Sequence, residues 1–321
     1  EIMPSLVGSE MCIRDRYCRY ALKSDGAILF VSPNGAAAGY AVCDSFIIQG
    51  FTRLAAQFGE LIMIVKKDIH AFHETNRILL RENDYVYILP HPALRGQISN
   101  YTVTFPSPEI ISDDYTVIPH GSATLVFSYH RYAFSGNLFG PMTKPCMVGG
   151  QANQCDMLVI IEFQPAGLSE LTGENQKELA DRRISFEIIH STLNRLILDA
   201  LERAGSLDEL VVRLDRIFID NLYAKCPSEL QIATELLRKS AGKISCKELA
   251  ASVYYSERHL GRMFQTYFGM NTKTFSRLVR INKAIRLMQN TRYPLECASC
   301  ETGFYDLPHF CLLYTSPSPR D

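Results

Sequence analysis

Two capped helical stretches separated by only three residues constrain this chain more than any other feature. They lie in "ISCKELAASVYYSERHLGRMFQTYFGMNTKTFSRLVRINKAIRLMQ", which begins at Ile244. Ser245 and Glu248 stand in the S-x-x-E spacing of a capping box, so a short helix opens there and closes near Ser252. Val253 to Tyr255 are left for the turn. Ser256 can then accept a backbone N–H at the start of a second helix, and Gly269 suits the left-handed conformation that ends one. Two short helices on so tight a turn predict a helix-turn-helix.

The second helix sorts its side chains. At about 100° per residue, Leu260, Met263, Phe264 and Tyr267 gather on one side and are expected to pack inward. Arg258, Gly261, Arg262 and Gln265 gather on the other. That strip carries what a major groove can use: arginine donates two hydrogen bonds to guanine, glutamine pairs with adenine, and glycine permits close approach. A merely solvated helix face would have the same polarity. Gly261 separates the two readings, because it costs about 1 kcal/mol of helix propensity relative to alanine and sits in the middle of the strip.

The segment from about Ser228 to Phe310 resembles the DNA-binding domain of AraC-type bacterial transcription regulators, in which two helix-turn-helix units are joined by a long helix. "ELA", "SERHLGRMF" and "FG" resemble the first unit. "FSRLVRINKAIRLM", with R-x-x-x-A at Arg280 to Ala284, resembles the linking helix, and "LECASCETGFYDLPHF" the second unit up to the start of its recognition helix. The resemblance implies that Arg258, Gly261 and Arg262 read bases, with Gly261 departing from the polar residue often found there. It places Asp306 at a helix cap, and Leu307 and Pro308 where base contacts begin, although neither suits hydrogen bonding. Ser256, Lys273 and Arg277 are expected to serve as cap or phosphate contacts.

From Leu89 to about Gln164 the chain reads as short strands, among them "YTVIP", "SATLVFSYH", "KPCMVGG" and "DMLVIIEFQ", punctuated by Pro and Gly. The period then lengthens: "FEIIHSTLNRLILDALERAG" and "LDELVVRLDRIFIDNLY" predict amphipathic helices, with Gly205 between them. Cys226-Pro227-Ser228 predicts a joint between domains. "LPHPALRGQISNYTVTF", "VIPHGSATLVFSY", "LFGPMTK" and "IIEFQPAGLSELTG" resemble a cupin-like amino-terminal domain of some AraC-type regulators, which implies effector binding or dimerisation. His91, His120 and His130 lack the His-x-His spacing of a metal-binding cupin and are expected to be structural. Tyr101, Phe127 and Phe163 are expected in the core, and any effector pocket within the strand region.

Both ends look foreign. Met11 to Arg16, MCIRDR, back-translates to ATG TGT ATA AGA GAC AG, the end that transposon-based library preparation leaves on DNA, and Leu6 to Glu10 continue it upstream in frame. Cys311 to Asp321 back-translate to the same adapter on the opposite strand. Residues 1–16 and 311–321 are therefore expected to be artefact, with the second helix-turn-helix unit cut at Phe310. Residues 17–62 lack a clear element pattern, and Gly59-Glu60 stands at ribosome-binding distance before Met63. Translation is expected to begin at Met63, with 17–62 as upstream read-through; 17–88 as a whole is left unassigned.

Of the ten cysteines, Cys12 and Cys311 fall in adapter and the other eight make no paired framework, which predicts a reducing cytoplasm. Cys297 and Cys300 spell C-x-x-C without a second pair or histidines, so helix packing explains them better than zinc. No apolar run reaches membrane-spanning length. Pro227 to Phe310 hold 12 Lys and Arg against 7 Asp and Glu, while Tyr17 to Cys226 hold 18 against 23. A basic segment beside an acidic one fits a nucleic-acid-binding module joined to something else.

The expected fold is α+β: a β-rich, cupin-like sensing domain with a helical end over 89–226, then an all-α domain over 227–310. The expected function is non-enzymatic: sequence-specific binding of double-stranded promoter DNA, answering a small effector, with no cofactor and no metal. The resemblance adds a homodimer and RNA polymerase as partners. The rivals are an enzyme or DNA-repair protein carrying an AraC-like module, and a helical protein-interaction module.

Overall fold

The computed structural model describes residues 11–14, 19–22, 28–31, 37–41, 64–130, 133–288 and 301–302. It divides into two compact units, Glu1–Ile62 and Met63–Asp321. In the first, strands β1 (Met11–Arg14), β2 (Arg19–Leu22), β3 (Ile28–Val31) and β4 (Ala37–Ala41) pair in sequence as an antiparallel meander.

The second unit is built on an antiparallel sheet. Its strands are β5 (Ile78–Arg81), β6 (Tyr85–Ile88), β7 (Ile98–Thr104), β9 (Thr124–His130), β10 (Ala133–Phe139), β12 (Met157–Phe163) and β13 (Arg183–Ser185), in the order β13-β10-β9-β12-β7-β6-β5. β8 (Thr116–Val117) and β11 (Cys146–Met147) form a separate pair. The sheet thus begins at Ile78, upstream of the expected boundary at Leu89. "ILLR" and "YVYI" are four residues each, too short to announce themselves by period.

Alternation along the strands gives the sheet two unlike faces. Val86, Ile88, Tyr101, Val103, Leu125, Phe127, Val159 and Ile161 are buried on one of them. They pack with apolar residues of helices α3 (Phe186–Arg203) and α4 (Leu207–Asp220), including Leu193, Ile197, Leu210, Leu214 and Phe218. Phe218 stacks on Tyr101 at 6.3 Å between centroids and meets Phe163 edge-on at 6.4 Å. Tyr101, Phe127 and Phe163 are core residues, as expected. The other face is richer in polar groups, with Tyr85, Tyr87, Asn100, Thr102, Thr104 and Glu162 at alternate positions of β6, β7 and β12, beside Leu158 and Ile160.

One ion pair is sealed between sheet and helices. Arg77 donates to Asp215 at 2.7 Å and to the Leu89 carbonyl at 2.8 Å. Asp215 also accepts from the Tyr101 hydroxyl at 3.0 Å and from the His91 backbone N–H at 2.9 Å. Such a pair is tolerable inside a protein because its remaining hydrogen-bonding capacity is filled. Burial, and then the Asp215 carboxylate, hold the Tyr101 phenol far above its ordinary pKa.

After the joint come α5 (Ser228–Lys239), α6 (Cys246–Ser252), α7 (Glu257–Phe268) and α8 (Thr272–Met288). They enclose a second core that includes Leu230, Leu237, Leu249, Leu260, Phe264, Phe268 and Phe275. Phe264 and Phe268 meet at right angles, 4.8 Å between centroids, and both lie against Phe275. Gly242, at φ +70°, turns the chain out of α5. Its carbonyl accepts from Ser276 Oγ at 2.8 Å and from Arg280 at 3.1 Å. Arg280 thereby moors α8 to this turn, and Ala284, one helical turn on, is fully buried.

The sheet and the helical segment touch. α1 (Gly167–Thr172) carries Glu170, whose carboxylate accepts from the Gln97 side chain at 2.5 Å and from the Cys226 N–H at 3.0 Å. Its carbonyl accepts from Tyr223 and Ala224 N–H groups at 2.9 and 3.1 Å. Farther on, Asn282 of α8 donates to the Pro119 carbonyl at 2.9 Å. Gly121 sits where a Cβ would come within 3.2 Å of the Phe275 ring.

Candidate nucleic-acid interface

The helix-turn-helix forms where the caps predict it. Glu248 N–H donates to Ser245 Oγ at 3.2 Å while Ser245 N–H donates to Glu248 Oε2 at 3.1 Å, which closes the capping box. The Ser245 hydroxyl, donating to Glu248 Oε2 at 2.7 Å, and then the Ser245 N–H hold the Glu248 carboxyl below its usual range. Ser256 Oγ accepts from His259 N–H at 3.2 Å to open α7. Gly269 ends that helix at φ +72°, its N–H donating to the Gln265 carbonyl. In the turn, Tyr254 takes a left-handed φ of +59° and is 96% exposed.

The two faces of α7 separate as expected. Leu260 and Phe264 are buried, Met263 and Tyr267 are half-buried against the same cluster, and Phe268, absent from the inward set read from sequence, joins them. On the opposite side Arg258 and Arg262 are exposed, and Gly261 and Gln265 are half-buried. A Cβ added at Gly261 would meet nothing within 4 Å, so the middle of the strip is open. Arg262 lies 3.3 Å from His259 Nδ1, a contact that leaves most of its donors unused. The strip therefore offers two guanidinium groups around a gap of glycine width, which can follow a groove edge closely.

Lys273 is exposed on the first turn of α8. Arg277, one turn on, is half-buried, and its Nε has no hydrogen-bond partner among the described residues. Its guanidinium is accordingly less exposed to a phosphate than the Lys273 ammonium or the guanidinium groups of α7. Asp306, Leu307, Pro308, Cys297 and Cys300 lie outside the described residues. His91 accepts from Ala93 N–H, His120 contacts Ser122 Oγ at 2.9 Å, and His130 ends β9. No group of three His, Cys, Asp or Glu placed to hold a metal occurs among the described residues. Burial and then Glu170 push the Cys226 thiol up to about 12, far from the thiolate a nucleophile requires.

Residues 249–316 match the family model of a helix-turn-helix domain, taking in α6 to α8 and running past Phe310. The chain carries a helix-turn-helix domain. The sheet region ahead of it, residues 87–185, matches a domain of unknown function, DUF6597. No curated protein matches the chain. Among solved structures it is similar to ToxT from Vibrio cholerae at 9% identity and a TM-score of 0.35, over 64% of this chain and 90% of that one. A second ToxT structure, from Vibrio cholerae O395, aligns at 10% identity and a TM-score of 0.35, over 64% and 89%. No helix among the described residues is long and apolar enough to cross a membrane.

Proposed function

We propose that this chain reads specific promoter sequences through α7 and that its sheet domain answers a small effector. The observation that carries the first part is the exposed strip of Arg258, Gly261, Arg262 and Gln265 around an open glycine. Arg258 and Arg262 donate to base edges, Gln265 reads an adjacent base, and Gly261 lets the backbone approach. Lys273 and Arg277 contact phosphates, Ser256 fixes the helix start, and Asp306 caps the recognition helix of the second unit. An effector acts by preferring one arrangement of the protein over another. A second copy of the chain and RNA polymerase are the further partners of this reading, in the cytoplasm.

We propose with it that translation begins at Met63, with residues 17–62 as upstream read-through. The division of the fold after Ile62 supports that start. The amino-terminal mass of the natural gene product decides it, and a product containing Phe51 overturns it.

The test of the DNA face is Arg262→Ala in a chain with its natural sequence restored beyond Phe310. Titration against cognate promoter DNA is expected to show a loss of ~1–3 kcal/mol and relaxed base preference. Parent-like binding by the variant would sink the assignment. Affinity is also expected to fall steeply with salt, because phosphate contacts release counterions; salt-independent binding would favour the protein-interaction reading.

A further inference from the structure

The polar face of the sheet has a chemistry of its own. Strand register places Thr102 opposite Tyr87 and Asn100 opposite Glu162, so residues from β6, β7 and β12 share one surface. Tyr85 and Tyr87 meet edge to face, 5.6 Å between centroids at 84°, and make a corner of two rings. Asn100 donates to Thr102 Oγ1 at 3.0 Å, so these neighbours satisfy each other. Glu162 has no hydrogen-bond or ion-pair partner among the described residues.

Burial raises the Glu162 carboxyl above its ordinary range. The Tyr87 phenol is pushed up to about 12, first by burial and then by the charges of Glu162, Tyr115 and Tyr85. An anionic group in a partly desolvated site flanked by aromatic faces is costly without a counter-charge. Cations reward both features: the carboxylate by Coulomb attraction, the rings by their quadrupole.

We infer that Tyr85, Tyr87 and Glu162 form a binding site for a small organic cation of the alkylammonium class. The inference rests on reading the sheet domain as a sensor and names the chemistry it senses. Tyr85 and Tyr87 supply ring faces and edges to the alkyl groups, and Glu162 supplies the charge. An uncharged polyol would find hydroxyl partners here but would leave the carboxylate uncompensated.

The test is calorimetric titration of the whole chain with choline, and with dimethylbutanol, its uncharged isostere with carbon in place of nitrogen. Choline is expected to bind saturably, and the alcohol about tenfold more weakly or not at all. Glu162→Gln and Tyr87→Leu are each expected to weaken choline by about tenfold or more. Glu162→Gln is also expected to melt no lower than the parent, since it removes a half-buried charge, so lost binding would not reflect lost fold. The inference is overturned if the parent shows no saturable choline binding, or if both variants bind choline as the parent does. Promoter affinity measured on the same samples separates the outcomes. A parent that binds choline but not DNA would break the regulator reading and leave the cation site standing.

Discussion

The outer strip of α7 and the polar face of the sheet are built on opposite plans. On α7 the charges are arginines standing in water, held by nothing stronger than a long contact to His259. On the sheet the charge is a single carboxylate drawn partly out of water among tyrosines. Under the two proposed readings, the difference follows from partner size. A polyanion as long as DNA brings its own field and needs solvated cations that can adjust, whereas a small molecule must be paid for by a site desolvated in advance.

That contrast can be broken at several strengths. Asp215→Ala should cost the most, ~3–5 kcal/mol, because it strands Arg77 in the interior; urea unfolding measures it. A loss near zero would mean that the sheet domain does not depend on its sealed pair. Ser245→Ala, which opens the capping box of α6, should cost only about 1 kcal/mol by thermal unfolding. If it matched Asp215→Ala, the helical segment would be as dependent on one polar group as the sheet is.

The smallest effect concerns Glu162. Its carboxyl is raised in the folded protein, so the folded state holds the proton more tightly than the unfolded chain does. Its stabilising contribution is fully present below the unfolded value and is lost as pH rises through the raised folded value. Parent and Glu162→Gln should therefore diverge in stability across that window, the parent falling relative to the variant. Parallel pH profiles would show that the carboxylate is not desolvated.

The helix-turn-helix was legible because its determinants are local. Ser245, Glu248, Ser256 and Gly269 act within four residues of their partners, and such spacings survive in a one-dimensional string. Arg77 and Asp215, 138 positions apart, do not announce each other. Tyr87, Asn100 and Glu162 also went unread as a set, since only the register of β6, β7 and β12 brings them to one face. A trace was present: "YVYI" and "IIEF" place polar groups at alternate positions within apolar strands. Tyr254 left no trace at all, because a tyrosine at positive φ breaks the preference that would mark the spot as a glycine.

Glu170 fastens the joint at Tyr223 to Cys226 with both its carboxylate and its carbonyl. A connection held that way is a strut, and the arithmetic of floppy tethers, in which reach grows with the square root of length, does not describe it. If two copies pair as proposed, recognition helices held to their sheet domains by such struts would tolerate little variation in half-site distance, and an inserted base pair, which also rotates one site around the duplex, would be felt in full.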